Sequence, residues 1–207
     1  MPPYDFDTQK RSYRDESGEY VSRRETREKI DKLTEFIKRE AGRIAKRFDE
    51  GKINAAQFNV EMRELLKAGH IIASSVGRGG LERMTLSDWG KVGNKIKWQY
   101  GYLDRMTRKL ERGGIANTTS RAKSYASAIY VSYAESYLQT NKEFIESGGD
   151  NNPNGEILCR LVTNSKEGCP ECAADEALDW IPVSEQGEIG TRQCGDFCLC
   201  DIEFNDV

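Results

Sequence analysis

Residues 22–51 read SRRETREKIDKLTEFIKREAGRIAKRFDEG, and the spacing of their apolar members decides the fold class. Ile30, Leu33, Ile37, Ala41, Ile44 and Phe48 recur every three or four positions. At 3.6 residues per turn that places them on one stripe and leaves charge on the other faces. Ser22 and Glu25 stand ahead of the run as S-x-x-E, so each side chain can accept the other's backbone N–H. Gly51 suits the position just past a helix end. The stretch predicts a long amphipathic helix opening near Ser22.

The same pattern repeats downstream. Asn54 and Gln57 cap a second helix from about Ala55 to Val76, with Phe58, Met62, Leu65, Leu66, Ile72 and Val76 on its apolar side. Gly77, Gly79 and Gly80 are expected to end it. A third helix opens near Thr85, with Asp88 three positions on. It carries Trp89, Val92, Ile96, Leu103, Met106 and Leu110 up to Gly113-Gly114. A fourth is predicted from about Ser120 to Glu146 on Ala122, Ala126, Ile129, Tyr133 and Tyr137. Helices of about 20–28 residues are each roughly 30–40 Å long. Residues 1–20 show no helical period. They are polar, with Tyr4, Phe6, Tyr13 and Tyr20 spaced among them, and read as an extended arm that is either loose or laid on a partner.

Charge divides the chain. Of 207 residues, 31% are charged, 37% are apolar and 9% are aromatic, for a net charge of −3. Residues 1–150 hold 28 Lys/Arg against 22 Asp/Glu, whereas residues 151–207 hold 3 against 12. A basic part of net +6 is therefore joined to an acidic part of net −9. Gly148-Gly149-Asp150-Asn151-Asn152-Pro153-Asn154-Gly155 between them reads as a linker. The organisation expected is an arm at 1–20, a helical domain at 21–147 and a cysteine-rich module at 156–207.

All six cysteines lie between Cys159 and Cys200. Cys169-Pro170-Glu171-Cys172 is a C-P-x-C knuckle, and Cys194-Gly195-Asp196-Phe197-Cys198-Leu199-Cys200 follows 21 residues after Cys172 (22 positions on). Two tight turns that each supply a pair of thiolates are how structural zinc ribbons are built. A small acidic module needs such a staple. The ligand set chosen is Cys169, Cys172, Cys194 and Cys198. Cys198, Cys200, Ile202 and Phe204 alternate like one face of a strand, so Cys200 can substitute for Cys198. Disulfides are the rival reading. Met1–Asp7 has neither a basic nor an apolar leader segment, so no secretory signal and a reducing compartment are expected. Cys159, in a predicted strand, reads as a packed thiol.

Other classes find little footing. No run of about 18 apolar residues suggests a membrane span. The only histidine, His70, has no nucleophile within a helical turn except Ser74, and no phosphate-binding glycine motif is present. Four thiolates with no open position make a structural metal site, not a catalytic one. A hydrolase or nuclease built on the acidic cluster is the weakest reading, and no enzymatic activity is expected. The third helix is distinctly basic: Lys91, Lys95, Lys97, Arg105, Arg108, Lys109 and Arg112 could track phosphates without sequence preference. Trp98, Tyr100 and Tyr102 among them either stack bases or pack helices.

Taken in order, the helical region, Arg121-Ala122-Lys123-Ser124-Tyr125-Ala126, the C-P-x-C knuckle, Trp180-Ile181-Pro182, Gly190-Thr191 and the C-x3-C-x-C ending resemble the tailed-phage minor head proteins. These are head-morphogenesis proteins of the phage Mu minor head type. The resemblance spans roughly residues 85–204. In that family the last knuckle is commonly H-x-x-C-x-C, and here Cys194 stands at the histidine position, one residue further from Cys198. The resemblance implies a virion structural protein, oligomeric and assembled in the host cytoplasm. It would meet capsid, portal or neck proteins and packaged duplex DNA. The fold expected is mainly α: an elongated bundle of about four long helices with a small β-rich, zinc-ribbon-like module. A zinc-ribbon nucleic-acid-binding protein is the alternative.

Overall fold

A computed structural model describes residues 5–115, 117–147, 158–163, 169–183, 185–187 and 201–204. It is mainly helical, with two small antiparallel sheets. The three predicted capping boxes are all formed. Ser22 Oγ accepts the Glu25 N–H at 3.2 Å while a Glu25 carboxylate oxygen accepts the Ser22 N–H at 2.8 Å. Asn54 with Gln57 and Thr85 with Asp88 repeat the arrangement. They open α1 (Arg23–Asp49), α2 (Ala55–Arg78) and α3 (Leu86–Glu111). A short 3-10 turn, Leu81–Arg83, links α2 to α3.

The stripes meet as their periodicity requires. Ile30, Ile37, Ala41 and Ile44 of α1 pack with Phe58, Met62 and Leu66 of α2, Leu103 and Met106 of α3, and Ala122, Ala126 and Ile129 further on. Burying each large apolar side chain contributes about 1.5–3 kcal/mol. Trp89 departs from the expected stripe and remains 38% exposed.

Two boundaries differ from the sequence expectation. α2 runs through Gly77 and stops at Gly79, whose φ of +85° is the left-handed conformation that an L side chain rarely adopts. The predicted fourth helix is two: α4 (Thr118–Ser127) and α5 (Ile129–Glu146). At Ala128 the backbone tightens, with Ala128 N–H donating to the Tyr125 carbonyl and Val131 N–H to the Ala128 carbonyl. No glycine or proline causes this break. It lets α4 lie on α1 while α5 lies on α2. The apolar line from Ala122 to Tyr133 continues across it.

Residues 5–21 form a three-stranded antiparallel meander, β1 (Asp5–Asp7), β2 (Ser12–Arg14) and β3 (Tyr20–Val21). It lies on the chain's own helices, where the sequence suggested a loose arm or a partner surface. Tyr13 and Val21 enter the main core, and Tyr13 Oη donates to the Val76 carbonyl at 2.6 Å. Phe6 rests edge-on against Tyr13 and directly over Gly79. A period of two over only three residues is too short to be seen in a sequence.

The C-terminal part has β4 (Leu158–Val162), α6 (Pro170–Glu176), β5 (Ile181–Pro182) and β6 (Asp201–Phe204). β4 is the central strand, flanked antiparallel by β5 and β6. Cys159, Leu161, Cys172, Val183 and Ile202 form a second core with Val131, Ala134 and Leu138 of α5. The cysteine-rich part therefore shares its apolar centre with the helical part.

Candidate metal centre and basic helical face

Cys169 is the N-cap of α6, and its sulfur accepts the Cys172 backbone N–H at 3.4 Å. Pro170 occupies the first helical position, where a missing N–H costs nothing. Cys172 is fully buried beneath the turn, and Cys169 is half-buried. α6 packs on β4, and β6, which begins one residue after Cys200, pairs with the same strand through Val162 and Asp201. α6 and β6 therefore contact the same strand. Cys194, Cys198 and Cys200 lie outside the described residues. Among the described residues, no group of three or more His, Cys, Asp or Glu side chains is arranged to hold a metal ion. The Cys169–Cys172 turn fits half of a tetrahedral thiolate site.

Cys159 is the second residue of β4, fully buried, 3.8 Å from the Gln186 side-chain oxygen. Burial pushes its thiol up to about 11, so it stays protonated. The neighbouring strand-borne Arg160 pairs with Glu203 at 2.7 Å and lies over the Trp180 ring.

The seven basic residues of α3 do not form one face. Lys91, Lys95, Arg105, Lys109 and Arg112 fall on a single line at three- and four-residue spacing, together with Trp98 and Tyr102. Lys97 and Arg108 lie on the adjoining outer line, Arg108 standing three residues after Arg105 and four before Arg112. Lys95 is only 15% exposed because it pairs with Glu135 of α5. Trp98 is 66% exposed and is not packed over among the described residues, whereas Tyr100 and Tyr102 are half-buried. Tyr100 Oη donates to the Arg63 carbonyl, and the Arg105 guanidinium lies 4.3 Å over Tyr102. Arg105 and Arg121 both approach Tyr125 of α4, so Arg121 extends the basic face onto a second helix. Sequence spacing on α3 alone could not reveal that addition.

His70 is sealed in the bundle at 1% exposure. Its Nε2 lies 2.9 Å from Gln99 Oε1, and its Nδ1 lies 2.7 Å from Ser132 Oγ. Gln99 Nε2 donates to the Tyr125 carbonyl, which leaves Oε1 to accept from the ring. Burial pushes His70 down to about 4. The ring is a neutral structural bridge between α2, α3 and α5.

Among the described residues, no helix is long and apolar enough to cross a membrane. Comparison with protein-family models, with curated proteins and with solved structures finds no match to this chain.

Proposed function

We propose that this chain is a structural protein of the tailed-phage virion, placed at the head or the head–tail junction, of the minor capsid or head-morphogenesis type. It acts by binding neighbouring capsid, portal or neck proteins and carries out no catalysis. The ordered series of motifs from Arg121 to Cys200 supports this reading. One structural observation carries it: the cysteine-bearing sheet is bound through α5 to a body of long helices. In this reading a structural zinc ion is held by Cys169, Cys172, Cys194 and Cys198, with Cys200 as the substitute for Cys198. Bound zinc would supply cross-linking between the turns that a small acidic module lacks. Mass spectrometry of purified particles tests the role, with the protein expected in the virion at low copy number. Its absence from particles would overturn the reading.

The exposed line of Trp98, Arg105, Lys109 and Arg112 favours a second reading, a zinc-ribbon protein that binds nucleic acid through its helices. Retardation of duplex DNA that weakens steeply between two salt concentrations distinguishes it.

A further inference from the structure

The two charged parts of the chain are carried by different elements of the fold. The acidic sheet packs along α5 through Val131, Ala134 and Leu138. The first half of α3 runs beside that helix, tied by Lys95 to Glu135 and by Asp88 through Arg78 to Glu143. The second half of α3 runs beside the start of α2, where Asn59 donates to Asp104 and to Thr107. Between residues 105 and 123 there are six cations and one acid. Between residues 170 and 187 there are five acids and no cation in the sequence; in space Arg160 pairs with Asp179 at 3.7 Å and Lys142 donates to the Gln186 carbonyl, which leaves the acids in excess.

Each patch also carries apolar surface. On the basic side, Trp98 is 66% exposed and the Tyr102 ring lies beneath Arg105. On the acidic side, Leu178 is 59% exposed, and Trp180, with Arg160 over one face of its ring, is 37% exposed. An aromatic centre within a charged rim is the composition of a protein interface. A DNA backbone would match the cations but would leave Leu178 and Trp180 without a counterpart.

We propose that the acidic residues Glu171, Asp175, Glu176, Asp179 and Glu185 of one copy dock on the Arg105–Arg121 face of a second copy, with Leu178 and Trp180 against Trp98 and Tyr102. The two patches are different surfaces of one chain, so the contact is head-to-tail. Repeated, it closes into a ring or grows as a filament. The proposal rests on charge and exposure and stands apart from the phage assignment.

Sedimentation of the full chain at about 0.1 mM protein, in about 0.1 M and about 1 M salt, reads the association. Wild-type protein is expected to form species larger than a monomer that dissociate at high salt. Arg105→Glu with Lys109→Glu, and separately Glu176→Lys with Glu185→Lys, should each weaken association more than about tenfold. Circular dichroism checks that each variant is folded. An equimolar mixture of the two variants should associate again, because the reversed patches complement each other. A monomeric wild type at all salt concentrations overturns the proposal. So does association that neither reversal weakens, or a mixture that stays monomeric. Loss of duplex DNA binding by the arginine–lysine variant, with self-association unchanged, would assign the face to nucleic acid instead.

Discussion

Gly77 of α2 lies against the backbone of Tyr133 in α5 so closely that a Cβ at position 77 would stand 2.5 Å from the Tyr133 carbonyl oxygen. The same Cβ would meet the Ser136 Cβ at 2.7 Å. This contact explains why a glycine sits inside a helix, and it sets how near α5 approaches α2. Gly77→Ala should destabilise the protein by about 1–3 kcal/mol, the range for overpacking, despite the better helix propensity of alanine. Gly93 on α3 faces open space, so Gly93→Ala should stabilise by up to about 1 kcal/mol. Urea unfolding of both variants checks the contrast, and a stabilised Gly77→Ala would remove the close-crossing argument.

His70 should make stability fall with acid. Its folded pKa is depressed from 6.5 to about 4 by burial. Below pH 6.5 the unfolded chain takes up a proton that the folded chain refuses until about pH 4. Unfolding free energy therefore rises with pH across that window and is unaffected by this group above it. Across the whole window the change is about 3 kcal/mol. Urea unfolding at pH values between about 5 and 6.5, above most carboxylate titrations, isolates the effect. His70→Gln should flatten the slope. A wild-type slope near zero would show that the ring is not sealed.

Arg78 holds three helices together. Its Nε lies 3.0 Å from Asp88 of α3, and Nη2 lies 2.8 Å from Glu143 of α5. Arg78 and Asp88 are only 5% and 7% exposed, while Glu143 is 45% exposed. Arg78→Met leaves a buried carboxylate without its cation and should cost about 3–5 kcal/mol. Glu143→Gln, at the wetter side, should cost less than about 1 kcal/mol. Adding Asp88→Asn to Arg78→Met should recover stability, since asparagine can still cap α3. A double-mutant cycle reads the coupling, and an Arg78→Met cost below that of Glu143→Gln would contradict this assignment.

The metal reading predicts one zinc per chain by elemental analysis of protein purified without chelator. Cys172→Ser should lose the metal, whereas Cys159→Ala should keep it, because Cys159 is held in β4 by packing. Comparing Cys198→Ser with Cys200→Ser identifies the fourth ligand: the variant that loses zinc carries it. EDTA should lower the thermal midpoint of wild-type protein and leave that of Cys172→Ser unchanged. A metal-free wild type with an unaltered midpoint would end the zinc-ribbon reading.

Local chemistry was legible in the chain. Ser22 with Glu25, Asn54 with Gln57 and Thr85 with Asp88 opened their helices where their spacing said, because a capping box satisfies N–H groups within four residues. The stripes from Ile30 to Ile44 and from Phe58 to Leu66 found the core, because a helix face is set by position alone. The charge boundary near residue 150 was likewise visible as composition. Contacts made at long range were not. The meander of residues 5–21 is held by Tyr13 on Val76, Gly77 stays helical because α5 crosses it, and the break at Ala128 follows from α4 and α5 meeting different neighbours. Lys95 and Trp98, three residues apart, exchange their expected places. A pairing with Glu135 draws the lysine inward, and nothing packed over α3 among the described residues covers the tryptophan. Sequence by itself determined which residues seek burial and where helices begin. Only the tertiary structure decided which faces were left exposed, because exposure depends on residues far apart in the chain that periodicity does not relate.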